Sequence, residues 1–420
     1  MTAMHCMLGR ILGPASSFVM AVLLARSFGA DGSGNFFVVL TLVTAFAIVA
    51  KFGLETALQR FVGAEKARDN AAAIVGIYQQ SLRVSLALAA LLAGLWIAFA
   101  SPIAGDVLDD PTQLGLLRLL GLLIVPFTVL GINAAMLKAL GSPAWGGFFE
   151  AAAWPLVTLG LAGLGSINGP PSIEEIALAY LLAAILAAAT AHAVVRIKLP
   201  RVPKALAMSS RTLYTSCATL TGIELMNFAL MWTPFILLPA LADATQAGLY
   251  NVSHRLAAQL GVLMLAVASI TSARFAAHYQ QRQNADLVKL AGRATRTQIL
   301  LGLPPGIVLL LFSEPILAVF GEEFSAATTT LRVLLIGQLI NIVTGPVGYL
   351  LAMTGYEGPL RKILLATIAL MLLMALALIP IFGATGAAAT VTAAMLFHNL
   401  LCIRAVASRL GLPLFLAFCR

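Results

Sequence analysis

Residues 30–71 read ADGSGNFFVVLTLVTAFAIVAKFGLETALQRFVGAEKARDNA, and residues 244–285 read ATQAGLYNVSHRLAAQLGVLMLAVASITSARFAAHYQQRQNA. The two stretches align without a gap at an offset of 214 residues, 30 falling on 244. Gly34 meets Gly248, Arg60-Phe61 meets Arg274-Phe275, Arg68 meets Arg282 and Asn70 meets Asn284. Residues 117–141 and 331–355 keep the same offset, with Leu117-Arg118 on Leu331-Arg332, Gly131 on Gly345 and Gly141 on Gly355. Ala and Leu coincidences carry no weight in so apolar a chain, but matched Arg, Asn and Gly do. The chain reads as two copies of one ancestral half. In an apolar protein that is the pattern of a transporter built from two bundles.

Hydrophobic residues make up 60 % of the 420 positions and charged residues 10 %. Soluble domains carry about 25 % charged residues, so this chain is not one. Its charges cluster between apolar runs of about 20 residues, the length that spans a bilayer as a helix. The shorter alternating segments of a barrel are missing. The fold class is therefore an all-α polytopic membrane protein. Ile11 to Phe28 resembles a signal peptide in length, but the repeat copy of the loop that follows it sits in mid-chain after another long apolar run. It is expected to be a retained span. Cys6, Cys217, Cys402 and Cys419 have neither metal-ligand spacing nor an external loop, so neither disulfides nor zinc is expected.

Twelve spans are expected, at 11–28, 36–54, 82–101, 115–138, 146–165, 174–195, 215–240, 247–270, 298–313, 331–353, 361–380 and 384–403. Loops on one side carry Arg60, Lys66, Arg68, Arg196, Lys198, Arg201, Lys204, Arg211, Arg274, Arg282, Lys289, Arg293, Arg296, Arg361 and Lys362, and the tail adds Arg409 and Arg420. The opposite loops carry Asp31, Asp106, Asp109, Asp110, Glu174, Glu175, Asp243, Glu314, Glu322 and Glu323. The positive-inside rule puts the basic loops and both termini in the cytoplasm. The net charge of +9 then reflects topology facing anionic lipid, with no nucleic acid involved. An even number of spans per half makes the repeats parallel, related by an axis along the membrane normal. Residues 1–200 are expected to form the first six-helix bundle, 201–214 a cytoplasmic linker and 215–420 the second bundle, with Pro200 and Pro203 blocking helix at the join. The stretch from Arg274 to Gln298 reads as an amphipathic surface helix, matched in the first half by Arg60 to Leu82.

Polar side chains inside spans are costly and usually face a cavity or a partner. Asn251, Arg255 and Gln259 repeat at i, i+4, i+8 and share one helix face. Glu224 lies about 13 Å in from the cytoplasmic end of its span, and Arg255 about 12 Å in from the outer end of the next. At such similar depth they are expected to pair or to share one aqueous cavity, for ion coupling or as a structural lock. Gln338 and Asn341, at i, i+3, either line the same cavity or hold helices together. Arg26, near the outer end of the first span, is the residue of that half best placed to meet an anionic substrate. His254 points about 100° away from Arg255. His192 and His398 read as packing or interface histidines, Lys51 beside Glu55 as a snorkelling lysine, and Glu150 as open to either role. Prolines at 126, 155, 234, 239, 304, 305 and 346 allow bends. There is no phosphate loop, no nucleophile set and no metal cluster, so neither an enzyme nor a cofactor is expected.

The stretch Ala25-Arg26-Ser27-Phe28-Gly29 through Gly34-Asn35-Phe36 resembles the opening motif of bacterial polysaccharide (O-antigen type) flippases. Gly53-Leu54-Glu55-Thr56-Ala57-Leu58-Gln59-Arg60 resembles their second-span end, and Gly248-Leu249-Tyr250 through Arg255-Leu256 their Gly-x-Tyr motif. Phe320-Gly321-Glu322-Glu323-Phe324 and Gly345-Pro346 through Gly355 are similar to their ninth and tenth spans. The family belongs to the multidrug/oligosaccharidyl-lipid/polysaccharide exporter superfamily. The resemblance implies two six-helix bundles around a V-shaped cavity. It implies flipping of an undecaprenyl-diphosphate-linked oligosaccharide across the bacterial inner membrane by alternating access, for lipopolysaccharide, capsule or exopolysaccharide synthesis. Membrane lipid, the lipid-linked substrate, a polysaccharide polymerase and chain-length proteins are the implied partners. Many members carry an acid ahead of the Gly-x-Tyr motif where this chain has Met231-Trp232-Thr233-Pro234, the nearest acid being Glu224. The same features suit a multidrug or small-solute antiporter of the superfamily.

Overall fold

The computed structural model describes residues 2–102, 104–105, 113–165, 171–203, 205–206 and 210–410. Asp106, Asp109, Asp110, Lys204, Cys419 and Arg420 lie outside them, as do the side chains of Cys6 and Arg211. Among the described residues there is no strand. The chain forms two compact units. The first comprises Met1–Phe28 and Phe36–Phe228, the second Gly29–Asn35 and Ala229–Arg420.

Among the described residues, nine helical segments are long and apolar enough to cross a membrane. Two of them, Ala15–Lys66 and Gly358–Arg409, run for 52 residues each. A straight helix of that length would measure about 78 Å, against a hydrocarbon core of about 30 Å. Glycine resolves the mismatch. Helix α1 (Thr2–Lys51) breaks at Gly29 with φ 66° and ψ −171°, and helix α15 (Glu357–Leu410) at Gly383 with φ 53° and ψ −129°. A side chain with a Cβ is strained at both positions. The four separate spans expected at the two ends of the chain are thus two broken helices, restarted with no intervening loop. Two of the nine segments are therefore broken helices. Helix α10 (Ala244–Gln280), which carries Asn251, Arg255 and Gln259, is not among the nine.

In the first unit, α2 (Leu54–Ala67) leaves α1 through a turn at Phe52 and Gly53. Then come α3 (Ala71–Pro102), α4 (Leu114–Gly121), α5 (Ile124–Ala139), α6 (Pro143–Phe148), a π turn over Phe149–Ala153, α7 (Trp154–Gly165) and α8 (Ile173–Lys198). A capping box of Ser172 and Glu175 starts α8. Helix α9 (Ser210–Leu241) passes from one unit to the other between Phe228 and Ala229. The second unit adds α10, α11 (Asn284–Leu311), α12 (Ser313–Ala318), a 3-10 turn over Glu322–Ala327, α13 (Thr328–Thr344), α14 (Val347–Met353) and α15.

The repeat is legible in the packing. Met136 and Leu137 are fully buried in the core of the first unit, and their counterparts Leu350 and Leu351 in that of the second. Outward faces are equally telling. Leu91 and Phe99 on α3, Leu300 and Leu311 on α11, and Leu373 and Ile381 on α15 are all more than half exposed. Apolar surface on this scale is stable against hydrocarbon and unstable against water.

One expectation needs correction. The amphipathic stretch from Arg274 to Gln298 is not a separate surface helix. It divides between the end of α10 and the polar N-terminal half of α11, which continues unbroken to Leu311. No proline interrupts α11 before Pro304, and Gly292 keeps helical geometry, so nothing stops the helix where its sequence turns apolar. In the first half the amphipathic helix is α2, which begins earlier than expected, at Leu54.

Candidate functional site

Two sets of polar side chains lie within the apolar helices, one in each unit. In the first unit, the chain turns sharply between α1 and α2. Phe52 and Gly53 both take positive φ, 49° and 63°. A left-handed Phe costs on the order of 1–3 kcal/mol and is held only where packing over-determines it. Leu54 and Leu58, both fully buried, are part of that packing. The turn sets Lys51 and Glu55 one on each side of it, their charged atoms 3.0 Å apart and each side chain 17 % exposed.

Both line a cavity of about 220 Å³ together with Thr44, Phe127, Glu150 and Trp154. Glu150 lies in the π turn and is ion-paired to Lys138 of α5. Next to Glu55, Thr56 donates a hydrogen bond of 3.3 Å to the Glu224 carboxylate on α9. Three carboxylates and two ammonium groups therefore share one neighbourhood in apolar surroundings. Gly131 makes room for it, since a Cβ there would collide with the Glu55 carboxylate.

The sequence repeat fails at this site. At the same offset, Lys51 becomes Leu265, Gly53 becomes Val267 and Glu55 becomes Ser269, and α10 runs through the region without a turn. Lys51 as a merely snorkelling lysine understates its setting, and Lys138 was not singled out by sequence. The one signal for the set was its departure from the repeat.

In the second unit, the face read from sequence is present. Arg255 donates from Nε to Asn251 Oδ1 at 2.8 Å, and Gln259 donates to the Arg255 carbonyl at 3.2 Å. Asn251 is buried, Arg255 half-buried and Gln259 exposed, so the face is graded along α10. His254 lies off this face. It stacks on Tyr250 at 5.6 Å and tilts against Trp232 at 5.2 Å, and Tyr250 in turn stacks on Phe235.

The other candidates separate. Asn341 donates to Met264 Sδ and accepts from Asn399 at 3.0 Å, joining α10, α13 and α15. Its hydrogen bonds do not run to the Asn251–Arg255–Gln259 face. The Gln338 side-chain oxygen is buried and makes no hydrogen bond. Arg26 is exposed, three residues before the Gly29 break. Glu224 belongs to the first unit and Arg255 to the second. Tyr78 donates its hydroxyl hydrogen to Asn133 at 2.6 Å and lies 2.9 Å from His192 Nδ1, which then donates to it, tying α3, α5 and α8. Among the described residues no group of His, Cys, Asp and Glu is arranged to hold a metal ion.

A family model described as polysaccharide biosynthesis protein matches residues 2–276. No curated protein matches the sequence. Among solved structures, the inward closed conformation of the lipid II flippase MurJ superposes with a TM-score of 0.74 at 13 % identity, over 96 % of this chain and 87 % of that one. An inward-facing multidrug resistance MATE family transporter of the MOP superfamily gives 0.73 at 13 % identity, over 96 % and 98 %. A MOP superfamily transporter from Pyrococcus furiosus, described as having a binding pocket of reverse polarity, gives 0.70 at 14 % identity, over 98 % and 94 %. At such identities the likeness establishes the fold.

Proposed function

The chain belongs to the polysaccharide biosynthesis protein family and has the fold of MOP superfamily transporters, and from that premise we propose that it is a flippase. Its cargo is an undecaprenyl-diphosphate-linked oligosaccharide repeat unit, moved across the inner membrane by alternating access for surface polysaccharide synthesis. The protein performs no bond chemistry. It spans the membrane twelve times, the two broken helices each crossing twice and α10 crossing once, as two six-helix bundles with both termini in the cytoplasm. A polysaccharide polymerase and chain-length proteins act downstream of it.

The observation that carries this reading is Arg255, half-buried in a membrane helix and oriented by Asn251. A charge at that depth costs about 2.5–3.5 kcal/mol on insertion scales, which packing alone does not return. A diphosphate needs such a fixed cation, while its lipid tail stays in the bilayer. Arg26 and Gln259 add exposed polar contacts, and Gln338 and Asn341 extend the polar inventory of the same bundle. Glu224, beside Lys51 and Glu55, supports a role in ion coupling, and a pairing of Glu224 with Arg255 during the cycle belongs to the same proposal.

One observation favours a second reading. Trp232, Phe235 and Tyr250 cluster around His254, an aromatic set that suits an organic cation and hence a multidrug or small-solute antiporter. The two readings separate in a strain lacking the gene with later sugar transfer intact. Accumulation of lipid-diphosphate-linked oligosaccharide on the cytoplasmic side, reversed by the wild-type gene, is the flippase result. Normal outer-leaflet delivery with altered drug efflux is the antiporter result.

A further inference from the structure

On the basic face of the first unit, three chain turns converge. The α2–α3 turn brings Lys66 and Asp69, the α5–α6 turn brings Leu140 and Ser142, and the end of α8 brings Lys198. They line a cavity of about 360 Å³. Lys66 donates one bond, 3.1 Å, to the Leu140 carbonyl, which fixes the ammonium at the C-terminus of α5 and leaves two of its hydrogens to donate. Gly141 turns the chain there with φ 87°, leaving space beside the ammonium. The Lys198 ammonium and the Ser142 hydroxyl engage no other group among the described residues. Asp69 is the one acid in the lining, so the site keeps a net charge of about +1 at neutral pH.

Apolar groups complete it. Ile74 and Leu140 line the same space. Ile197, beside Lys198, is 82 % exposed, and Trp145, three residues beyond Ser142, is half exposed. An aliphatic side chain so exposed at the end of a membrane helix belongs among acyl chains, and a tryptophan beside it belongs at the headgroup level. A pocket with a cationic floor and an apolar rim matches an amphiphile whose polar end is a phosphate.

We propose that this pocket binds the phosphate headgroup of an acidic phospholipid in the leaflet it faces, with Lys66, Lys198 and Ser142 as donors. One negative charge on a phosphodiester matches the net charge of the site. The proposal is independent of the flippase reading, since it concerns a bound lipid and not the cargo.

The test uses the full chain in detergent with phosphatidylglycerol and phosphatidylcholine at equal concentration, and native mass spectrometry to count retained lipid. Wild type retains one phosphatidylglycerol in preference to phosphatidylcholine. Lys198→Gln, which breaks no contact, lowers that retention about fivefold, and Lys66→Gln with Lys198→Gln lowers it about twentyfold or more. Asp69→Asn raises it. Arg361→Gln with Lys362→Gln, two exposed cations elsewhere, leaves it unchanged. Wild-type retention in Lys198→Gln overturns the proposal, and so does an equal loss in the Arg361/Lys362 pair, which would mean diffuse surface charge. Complete displacement of the lipid by excess inorganic phosphate would assign the pocket to a soluble anion and overturn the lipid assignment.

Discussion

Gly34 and Gly248, separated by one repeat length in sequence, pack against each other with two-fold logic. A Cβ on Gly34 would strike the carbonyl oxygen of Ala244, and a Cβ on Gly248 that of Ala30, and Ala30 and Ala244 are themselves repeat equivalents. Both helices lack a side chain where their backbones cross, which is how membrane helices approach most closely.

Because the obstacle at both positions is backbone, neither Gly34→Ala nor Gly248→Ala can be accommodated by a rotamer change. Each is expected to destabilise by about 1–3 kcal/mol, the cost of overpacking. Thermal unfolding in detergent reads this as a lowered midpoint. Gly63→Ala, where nothing lies within 4 Å, serves as the neutral control and shifts it little or upward.

Gly131 presents the opposite case. There the obstacle is the end of the flexible Glu55 side chain, with the Lys51 stem behind it. Gly131→Ala is expected to fold with a stability change within about 1 kcal/mol of wild type, while displacing Glu55 from Lys51. Surface polysaccharide output should fall although the protein level holds. Full output would mean that the Lys51–Glu55 geometry does not matter for transport.

Arg255→Ala removes a charge-assisted contact worth about 1.5–3 kcal/mol, so flipping should drop roughly tenfold to a hundredfold with expression intact. Arg255→Lys keeps charge but loses the Nε bond to Asn251, and should recover part of the activity. Wild-type accumulation of outer-leaflet product in Arg255→Ala would remove this residue from the substrate path.

Glu323 and Gln246 do parallel work at the two broken helices. Glu323 accepts the Ala30 N–H at 2.9 Å just after Gly29, and Gln246 accepts the Ala384 N–H at 2.9 Å just after Gly383. Each satisfies the first free donor of a restarted helix. Truncation of either to Ala should cost about 0.5–2 kcal/mol. Glu323→Gln should cost less than Glu323→Ala, because Gln246 shows that an amide oxygen suffices. Equal losses in the two Glu323 variants would assign its effect to charge.

Much of the fold could be read from the chain because span length and glycine repeats are local properties. The all-α membrane class and the family resemblance hold on that basis. The Gly29 and Gly383 breaks have the composition of short loops, and sequence does not distinguish a loop from a helix that resumes after one residue of positive φ. The continuation of α11 is hidden in the sequence because its polar half resembles a surface helix in composition. The Asn251–Arg255–Gln259 face is a single-helix pattern and was legible. The set formed by Lys51, Glu55, Lys138, Glu150 and Glu224 comes from four separate stretches joined by a strained turn and a π turn. No spacing in the sequence announces it.

Residues 29–35 belong to the second unit although they are made with the first. Gly34 therefore awaits a partner that emerges 214 residues later in synthesis. At about 5–20 residues per second, the delay is about 10–40 s. Throughout that interval the restarted helix carries an uncapped terminus and a bare glycine notch.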